Sequence, residues 1–216
     1  MQIKKPDIIT NLDTIGELLN LVREAKTEET DIEKKHIIDA YLSNEDLSDL
    51  SFLGVVFDNC RLINCNFKKG SFIDVIFRNC DFSNSNIDDG YFNRCEFTFC
   101  KFMGVRMQNN RLNQLSISNC IFKYADFDNS RLNSVCISDS DLSDSNLSNC
   151  KLDKLEFNDT LLINALFYKT QLRGIDFTKC QIDGIGVSDS YYELKGAVVN
   201  VFQAANLAKL LGVVIK

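Results

Sequence analysis

The sequence predicts an all-β solenoid, specifically a right-handed quadrilateral β-helix with a helix at each end. From Ile37 to Tyr192, every fifth residue is apolar, which gives 32 consecutive matches. Fourteen of the sixteen Phe lie at this central position, and the position two residues earlier is mostly small or apolar. Residues two apart share one side of an extended segment. A period of five fits neither a helix nor a plain strand, so each unit is predicted to form one short side followed by a bend.

Four such sides close a square, so residue i is predicted to stack on residue i+20 at the strand spacing of ~4.8 Å. We name the four faces after one central residue each, with further members at intervals of twenty: the Leu47, Phe52, Phe57 and Leu62 faces. The Leu47 face lies opposite the Phe57 face, and the Phe52 face opposite the Leu62 face. The centres up to Tyr192 predict nearly eight coils, roughly 37 Å tall.

The cysteines follow the same period. Eight of the nine occupy the small inward position, and only Cys136 does not. Four of them recur at intervals of twenty and are predicted to form one interior column: Cys60, Cys80, Cys100 and Cys120. Parallel Cβ vectors oppose disulfides, so we expect buried reduced thiols. A thiolate metal site is the alternative, but it needs ionised sulfur and room for a tetrahedral ion. We therefore expect no metal and no cofactor.

The sequence carries no catalytic pattern. His36 is the only histidine and precedes the regular repeats, so no Cys–His or Ser–His pair is predicted inside the solenoid. Gly-rich phosphate loops, HExxH and paired-carboxylate motifs are absent from the sequence. We expect a binding protein and not an enzyme. Without an apolar run of eighteen residues or an apolar segment after Lys5, we expect a cytoplasmic protein with no membrane association.

Three segments are predicted. Residues 1–36 form an N-terminal capping segment, in which Thr14 and Glu17 resemble a capping box at the start of a short helix near 14–26. This helix is expected to cover the open first coil. Residues 37–192 form the β-helix, and Glu45 and Leu50 at small-residue positions predict an irregular first coil.

Residues 193–216 are predicted to form a dimerisation segment. A helix is expected from Ala197 to Leu211, ended by Gly212 and followed by an apolar tail. The last coil covers one side of this helix, and the remaining apolar residues favour a second copy of the chain over a monomeric lid. The predicted dimer interface contains Val201, Phe202, Leu207, Leu210, Leu211, Val213, Val214 and Ile215.

The charge of −6 is distributed unevenly over the four faces. The Leu47 face carries eight acidic and four basic residues, the Phe57 face six and two, and the Phe52 face two and six. The Leu62 face is nearly neutral. The predicted partner-binding carboxylates are Asp46, Asp49, Asp88, Asp89, Asp126, Asp128, Asp139, Glu156 and Asp159.

Two stretches of sequence resemble known families. The units Cys80-Asp81-Phe82-Ser83-Asn84 and Ser145-Asn146-Leu147-Ser148-Asn149 resemble the pentapeptide repeat family, and the match covers about 155 residues. The ending, with Gln203-Ala204, Leu207-Ala208 and Leu211-Gly212-Val213-Val214-Ile215, is similar to the quinolone-resistance (Qnr) and mycobacterial fluoroquinolone-resistance branch. The five-residue period is unbroken between residues 37 and 192, which leaves no room for an inserted loop. The resemblance is therefore to the loop-less type.

The resemblance implies end-to-end dimers that imitate duplex DNA, bind DNA gyrase or topoisomerase IV and protect it from quinolones. It implies a protein partner, with no direct contact to nucleic acid. Two alternatives stay open at this point. The same surface could confer immunity against a different gyrase poison, such as a peptide toxin, or the chain could be a structural or adaptor rod without a topoisomerase partner.

Overall fold

The protein is a parallel β-solenoid of about seven turns, described for residues 2–215 by a computed structural model. Backbone partners within the repeat region lie twenty residues apart, as in Phe72 with Phe92 and Leu112 with Leu132, whereas the pairings at the two ends, Asp13 with Lys35 and Asp176 with Val198, are 22 apart. Because all of these pairings are parallel and in register, twenty residues make one turn of four sides. The predicted fold class is confirmed.

Regular strands concentrate on the Phe52 and Phe57 faces. Most belong to one eleven-stranded sheet, and β4 and β7 form a two-stranded sheet on the Leu62 face. The Leu47 face and the upper Leu62 face are joined by isolated bridges between tight turns. The strands are β1 (Asp13–Ile15), β2 (Ile32–Glu33), β3 (Lys35–Ile38), β4 (Tyr41–Ser43), β5 (Ser51–Leu53), β6 (Val56–Asp58), β7 (Arg61–Ile63), β8 (Ser71–Ile73), β9 (Ile76–Arg78), β10 (Tyr91–Thr98), β11 (Arg111–Ser118), β12 (Arg131–Ser138) and β13 (Lys151–Asn158).

The corners of the square are residues in the left-handed backbone region. The last residue of every five-residue unit from Asp39 to Gly174 has a positive φ, mostly near +55°, as in Asn59, Asn79 and Asn84. Asn and Asp tolerate this region because their short polar side chains hydrogen-bond locally. Corner amides also bond to each other along the stack: Asn79 Nδ2 donates to Asn59 Oδ1 at 2.8 Å. The bend that closes each side therefore accounts for the polar residues at the fifth positions.

The core is a set of interior ladders of central side chains. Phe rings stack on one another twenty residues apart, with centroids 4.6 Å apart for Phe72 and Phe92 and 4.7 Å apart for Phe102 and Phe122. All central residues from Ile37 onward are buried except Leu152, Val187 and Tyr192. The period places Tyr192 inside, but its side chain is 42% exposed because a 3₁₀ helix, Tyr192–Leu194, begins there and buries Glu193 instead.

The N-terminal cap differs from its prediction in detail. Helix α1 spans Leu18–Glu28 and buries Leu18, Val22 and Ala25 under the first coil. It begins later than expected because Thr14 and Ile15 belong to β1, which pairs with β3, and the predicted capping box is not formed. The first coil is regular, contrary to the irregularity expected from Glu45 and Leu50, because β1, α1 and β2 complete a supporting layer beneath it.

The residues before β1 form an arm that runs along the outside of the solenoid. The Lys4 N–H donates to Gln114 Oε1 at 2.9 Å, and the Asp7 N–H donates to Asp74 Oδ1 at 3.0 Å. Gln114 and Asp74 both lie on the corner between the Phe52 and Phe57 faces, two coils apart. The chain from Lys4 to Asp7 therefore runs across two coils in an extended conformation. The arm covers part of this corner.

The C-terminal helix is shorter than the predicted Ala197–Leu211. Val198 pairs with Asp176 and continues the ladder of the solenoid, so the helix cannot begin before it. Helix α2 spans Val201–Ala208 and is followed by a 3₁₀ turn, Lys209–Leu211, which ends at Gly212 with φ +74°. Helix α2 begins with a capping box formed by Asn200 and Gln203. The Gln203 Nε2 group also donates to the carbonyls of Phe177 and Cys180, which fixes α2 on the last coil.

Candidate protein-binding surfaces

The cysteine column is present inside the stack. All nine cysteines are free thiols, and only Cys136 is half-exposed. The Cys100 N–H lies 3.4 Å from Cys120 Sγ, one coil further along the stack. Burial raises the pKa of the Cys95 and Cys150 thiols to about 12. In residues 2–215, no group of three or more His, Cys, Asp or Glu side chains is arranged to hold a metal ion.

His36 lies in β3 on the Phe57 face, half-buried between neighbouring strands. Its Nε2 atom is 3.6 Å from Asp58 Oδ2. The pairing of His36 with Val56 in the next coil fixes this position. The only histidine of the sequence therefore faces a carboxylate across neighbouring strands of the first coils.

The carboxylates of the lower Leu47 face are paired with lysines. Asp46 accepts a hydrogen bond from Lys26 of α1 at 2.7 Å, and this bond is the main reason that its pKa falls to about 2. Asp49 lies 3.8 Å from the Lys69 ammonium. Asp89 lies 3.4 Å from Lys68. These three predicted partner-binding residues are accessible, but their charge is largely balanced within the chain.

Asp88 is not available to a partner, although it belongs to the predicted acidic row. Its side chain is only 6% exposed, and its carboxylate accepts hydrogen bonds from Arg106 at 2.6 Å and from the Gln108 N–H at 2.9 Å. The burial follows from the Arg106 side chain, which folds back over the outward position. Asp88 therefore has a structural role on this face.

The carboxylates of the upper Leu47 face accept hydrogen bonds from amide groups. Asp126 accepts hydrogen bonds from the Asn146 amide at 2.9 Å and from the Asp128 N–H at 3.1 Å. Asp128 accepts one from the Asn149 amide at 2.7 Å. Amide donors orient a carboxylate without neutralising it. Asp126 and Asp128 thus form a fixed pair of negative charges.

On the opposite Phe57 face, Asp139 and Asp159 are exposed corner residues in successive coils. Neither forms an ion pair with any residue in the range 2–215. Glu156 is half-buried on the same face. The predicted acidic rows are therefore strongest in the upper half of the solenoid, on two opposite faces.

The Phe52 face is positively charged. Arg111, Arg131 and Lys151 lie in register in three successive coils, and all three are exposed. Within the described part of the chain, none of them forms an ion pair. Arg94 on the same face is held by Asp74, which accepts a hydrogen bond from its Nε at 2.6 Å. This face would repel a cationic surface.

The C-terminal segment presents an apolar surface at the end of the solenoid. Seven of the eight predicted dimer residues are exposed, including Phe202 at 85% and Val214 at 82%, whereas Leu207 is half-buried against the core. The Tyr191 hydroxyl donates to the Leu210 carbonyl at 2.6 Å and holds the segment in place. The exposed apolar side chains thus lie on an ordered scaffold.

Two further surface residues, Phe99 and Tyr124, were not among the predicted site residues. Both lie at corners of the Leu62 face with φ of +55° and +59°, and their side chains are 63% and 60% exposed. A signal for Phe99 existed in the sequence, because it is one of only two Phe outside the central positions.

The four-sided stack with polar outer faces defines the chain as a repeat-built rod. A family model for the pentapeptide repeat region matches residues 70–144 and 117–187, which together span more than half of the sequence. The chain belongs to the pentapeptide repeat family. No curated protein sequence matches it.

Several solved structures are similar to this chain. Full-length QnrB1, described as a plasmid-mediated fluoroquinolone resistance protein, has 18% identity and a TM-score of 0.46, with 93% of this chain and 95% of QnrB1 covered. A trypsin-treated form of QnrB1 has a TM-score of 0.47 at 18% identity, covering 84% of this chain and 99% of that chain. HetL, a pentapeptide repeat protein involved in heterocyst differentiation regulation in the cyanobacterium Nostoc, has 12% identity and a TM-score of 0.26, covering 82% and 90%. Within residues 2–215, neither helix is long and apolar enough to span a bilayer.

Proposed function

We propose that this protein is a DNA-like rod that binds DNA gyrase or topoisomerase IV in the cytoplasm and protects the enzyme from quinolones. It acts by binding and not by catalysis, and it makes no direct contact with nucleic acid. The observation that carries the proposal is the arrangement of carboxylates on two opposite faces of a regular stack. Duplex DNA likewise presents negative charge on both sides of a rod.

The uncompensated carboxylates are the charges available to a partner. Asp126 and Asp128 lie on one acidic face, and Asp139 and Asp159 on the other. The net charge of this chain is −6, whereas duplex DNA about 37 Å long carries roughly 22 negative charges. The shape of the rod must therefore contribute to binding together with these local acidic rows. Acidic rows on two opposite outer faces attract a positively charged cleft and steer the encounter with it.

The C-terminal segment supports a rod made of two chains. Its exposed residues, Phe202 and Val214 among them, form an apolar end surface that a second copy would cover. An end-to-end dimer doubles the length of the rod and repeats the acidic faces. A longer rod would fill more of a cleft that is built for duplex DNA.

The proposal is tested by supercoiling assays with purified gyrase and ciprofloxacin. The wild-type protein is expected to restore supercoiling in the presence of the drug. Asp126→Asn combined with Asp139→Asn is expected to weaken this protection several-fold, because two free carboxylates are lost. Asp49→Asn combined with Asp89→Asn is the matched control, since it removes two charges that lysines already balance, and should change protection little.

Other outcomes would assign a different role. Protection against a peptide poison of gyrase, without protection against ciprofloxacin, would identify an immunity protein. A protein that neither inhibits supercoiling at high concentration nor restores it in the presence of either poison would be an adaptor rod without a topoisomerase partner.

A further inference from the structure

We infer that the Leu62 face is the side of the rod that enters the partner's cleft, and that Phe99 and Tyr124 anchor it there. The inference rests on the proposed function and adds the orientation of the complex. The occupant of this face is the DNA-binding cleft of a type II topoisomerase, whose walls are cationic because they bind the phosphates of duplex DNA.

Phe99 and Tyr124 have a backbone conformation that bulky side chains rarely adopt. Corner residues in this chain are mostly Asn, Asp or Gly, which enter the left-handed region at little cost. A bulky aromatic side chain at such a corner is strained, and strain of this kind is found where function requires it. The corner residues one coil below and one coil above each ring are polar or glycine. They are Asn79 and Asn119 for Phe99, and Gly104 and Asp144 for Tyr124.

Within residues 2–215, no hydrogen bond or ring contact accounts for these two aromatic side chains. Arg94, another bulky corner residue, is explained by its bond to Asp74, and Gln114 by its bond to the N-terminal arm. Phe99 interrupts the corner ladder in which Asn79 bonds to Asn59, and its ring is left in solvent. Among residues 2–215, neither Phe99 nor Tyr124 stacks on another ring.

The two rings lie at the two corners that bound the Leu62 face, and each has an apolar side chain near it on that face. Phe99 and Ile121 line a surface groove of about 430 Å³, together with polar residues such as Lys101. Met103 is exposed on the same face, one residue before the corner on which Tyr124 stacks. Aromatic side chains grouped with aliphatic ones on an exposed surface are typical of the centre of a protein interface.

The charges on the neighbouring faces favour the same side of the rod. The Leu62 face lies between the two acidic faces, with Asp126 and Asp128 beyond the Tyr124 corner and Asp139 on the same corner row as Phe99. The positively charged Phe52 face lies on the opposite side of the rod. A cleft with cationic walls therefore fits around the Leu62 face, whereas any other approach would bring the Phe52 face against a cationic wall.

The face itself is close to neutral, which suits the floor of such a cleft. Lys101 lies 3.9 Å from Asp81, and Lys123 lies 3.7 Å from Asp141. These long, exposed ion pairs contribute little to stability, but they balance the charge of the face. Phe99 and Tyr124 can therefore dock with little net charge buried around them.

The test measures binding of purified DNA gyrase holoenzyme to the full-length protein and its variants. Phe99→Asn combined with Tyr124→Asn is expected to weaken binding roughly tenfold or more, as for interface anchors. The thermal midpoint should not fall, because Asn suits the left-handed corner. Arg111→Gln combined with Arg131→Gln, on the opposite face, should leave the affinity within about twofold.

Each other outcome contradicts a defined part of the inference. If the wild type binds gyrase and the aromatic variant binds equally well, the inference fails while the proposed function stands. If the aromatic variant loses stability together with binding, the two rings are structural. If the Phe52-face variant loses affinity to the same degree, the orientation is wrong. A wild type that does not bind gyrase contradicts the inference and the proposed function together.

Discussion

At the scale of single residues, position within the unit of five decides what each side chain does. Central residues pack inside, small residues such as Cys100 fill the second inward position, and corner residues such as Asn79 close the side. Exceptions to these roles are the informative residues. Glu193 is one of them, because a buried carboxylate replaces an apolar residue at the end of the stack.

Thiol reactivity tests the interior position of the cysteines. We expect a maleimide to modify only Cys136 in the native protein at pH 8, because the other eight thiols are buried and the pKa of Cys95 and Cys150 is about 12. After unfolding in guanidinium, all nine should react, as counted by mass spectrometry. Rapid modification of several cysteines in the native state would contradict the column.

The pH dependence of stability tests Glu193. Burial alone would raise its pKa, but hydrogen bonds from the Lys169 N–H and from Ser188 hold the pKa below the ordinary value of 4.5. A lowered folded pKa means that its contribution is complete above about pH 4.5 and is lost as the pH falls through the folded value. Glu193→Gln should therefore cost about 2 kcal/mol of unfolding free energy at pH 7 and less at pH 3, by urea denaturation. An equal cost at both pH values would contradict the ionised role.

At the scale of elements, the stack derives its stability from interior ladders of apolar side chains that lie twenty residues apart. Each coil contacts only the coils above and below it, so the contribution of a side chain depends on two stacked partners. Phe102 is such a residue, with rings 5.0 Å away at Phe82 and 4.7 Å away at Phe122.

A cavity in this ladder should be costly. Phe102→Ala is expected to lower the unfolding free energy by about 3–5 kcal/mol, because the interior cannot collapse between rigid coils. Phe102→Leu is the control and should cost clearly less, since it keeps most of the volume. Equal midpoints in urea denaturation for Phe102→Ala and the wild type would contradict the packing.

The elements that could be predicted from the sequence are those that obey the period. The register, the corners and the cysteine column all follow from residues recurring at intervals of five and twenty. The N-terminal arm has no such repeat, and its contacts with Asp74 and Gln114 depend on long-range placement that a local pattern does not contain. Asp88 shows the same limit for the site, because Arg106 covers an outward position that the period predicts to be accessible.

At the scale of the whole molecule, the rod has two chemically different opposite faces and one apolar end. The aromatic Leu62 face lies between two acidic faces, the Phe52 face is basic, and the C-terminal segment exposes apolar side chains. This polarity follows from side chains twenty residues apart being stacked in columns. A surface feature repeated in successive coils becomes a stripe along the rod.

The apolar end predicts a dimer. Sedimentation should give the mass of two chains for the wild type, and Phe202→Asp combined with Leu210→Asp should give the mass of one chain, because two charges cannot be buried at the contact. Val55→Ala, inside the first coils, is a control that should leave the dimer intact. A single-chain mass for the wild type would contradict the proposed end-to-end contact.

The most direct measurement of the central claim is competition between this protein and duplex DNA for gyrase. Fluorescence anisotropy would follow the labelled protein on gyrase while unlabelled duplex DNA is added. If the rod occupies the DNA-binding cleft, DNA should displace it fully, and the apparent affinity of the rod should fall in proportion to the DNA concentration and with added salt. Simultaneous binding of DNA and the protein, with no loss of anisotropy, would contradict the account.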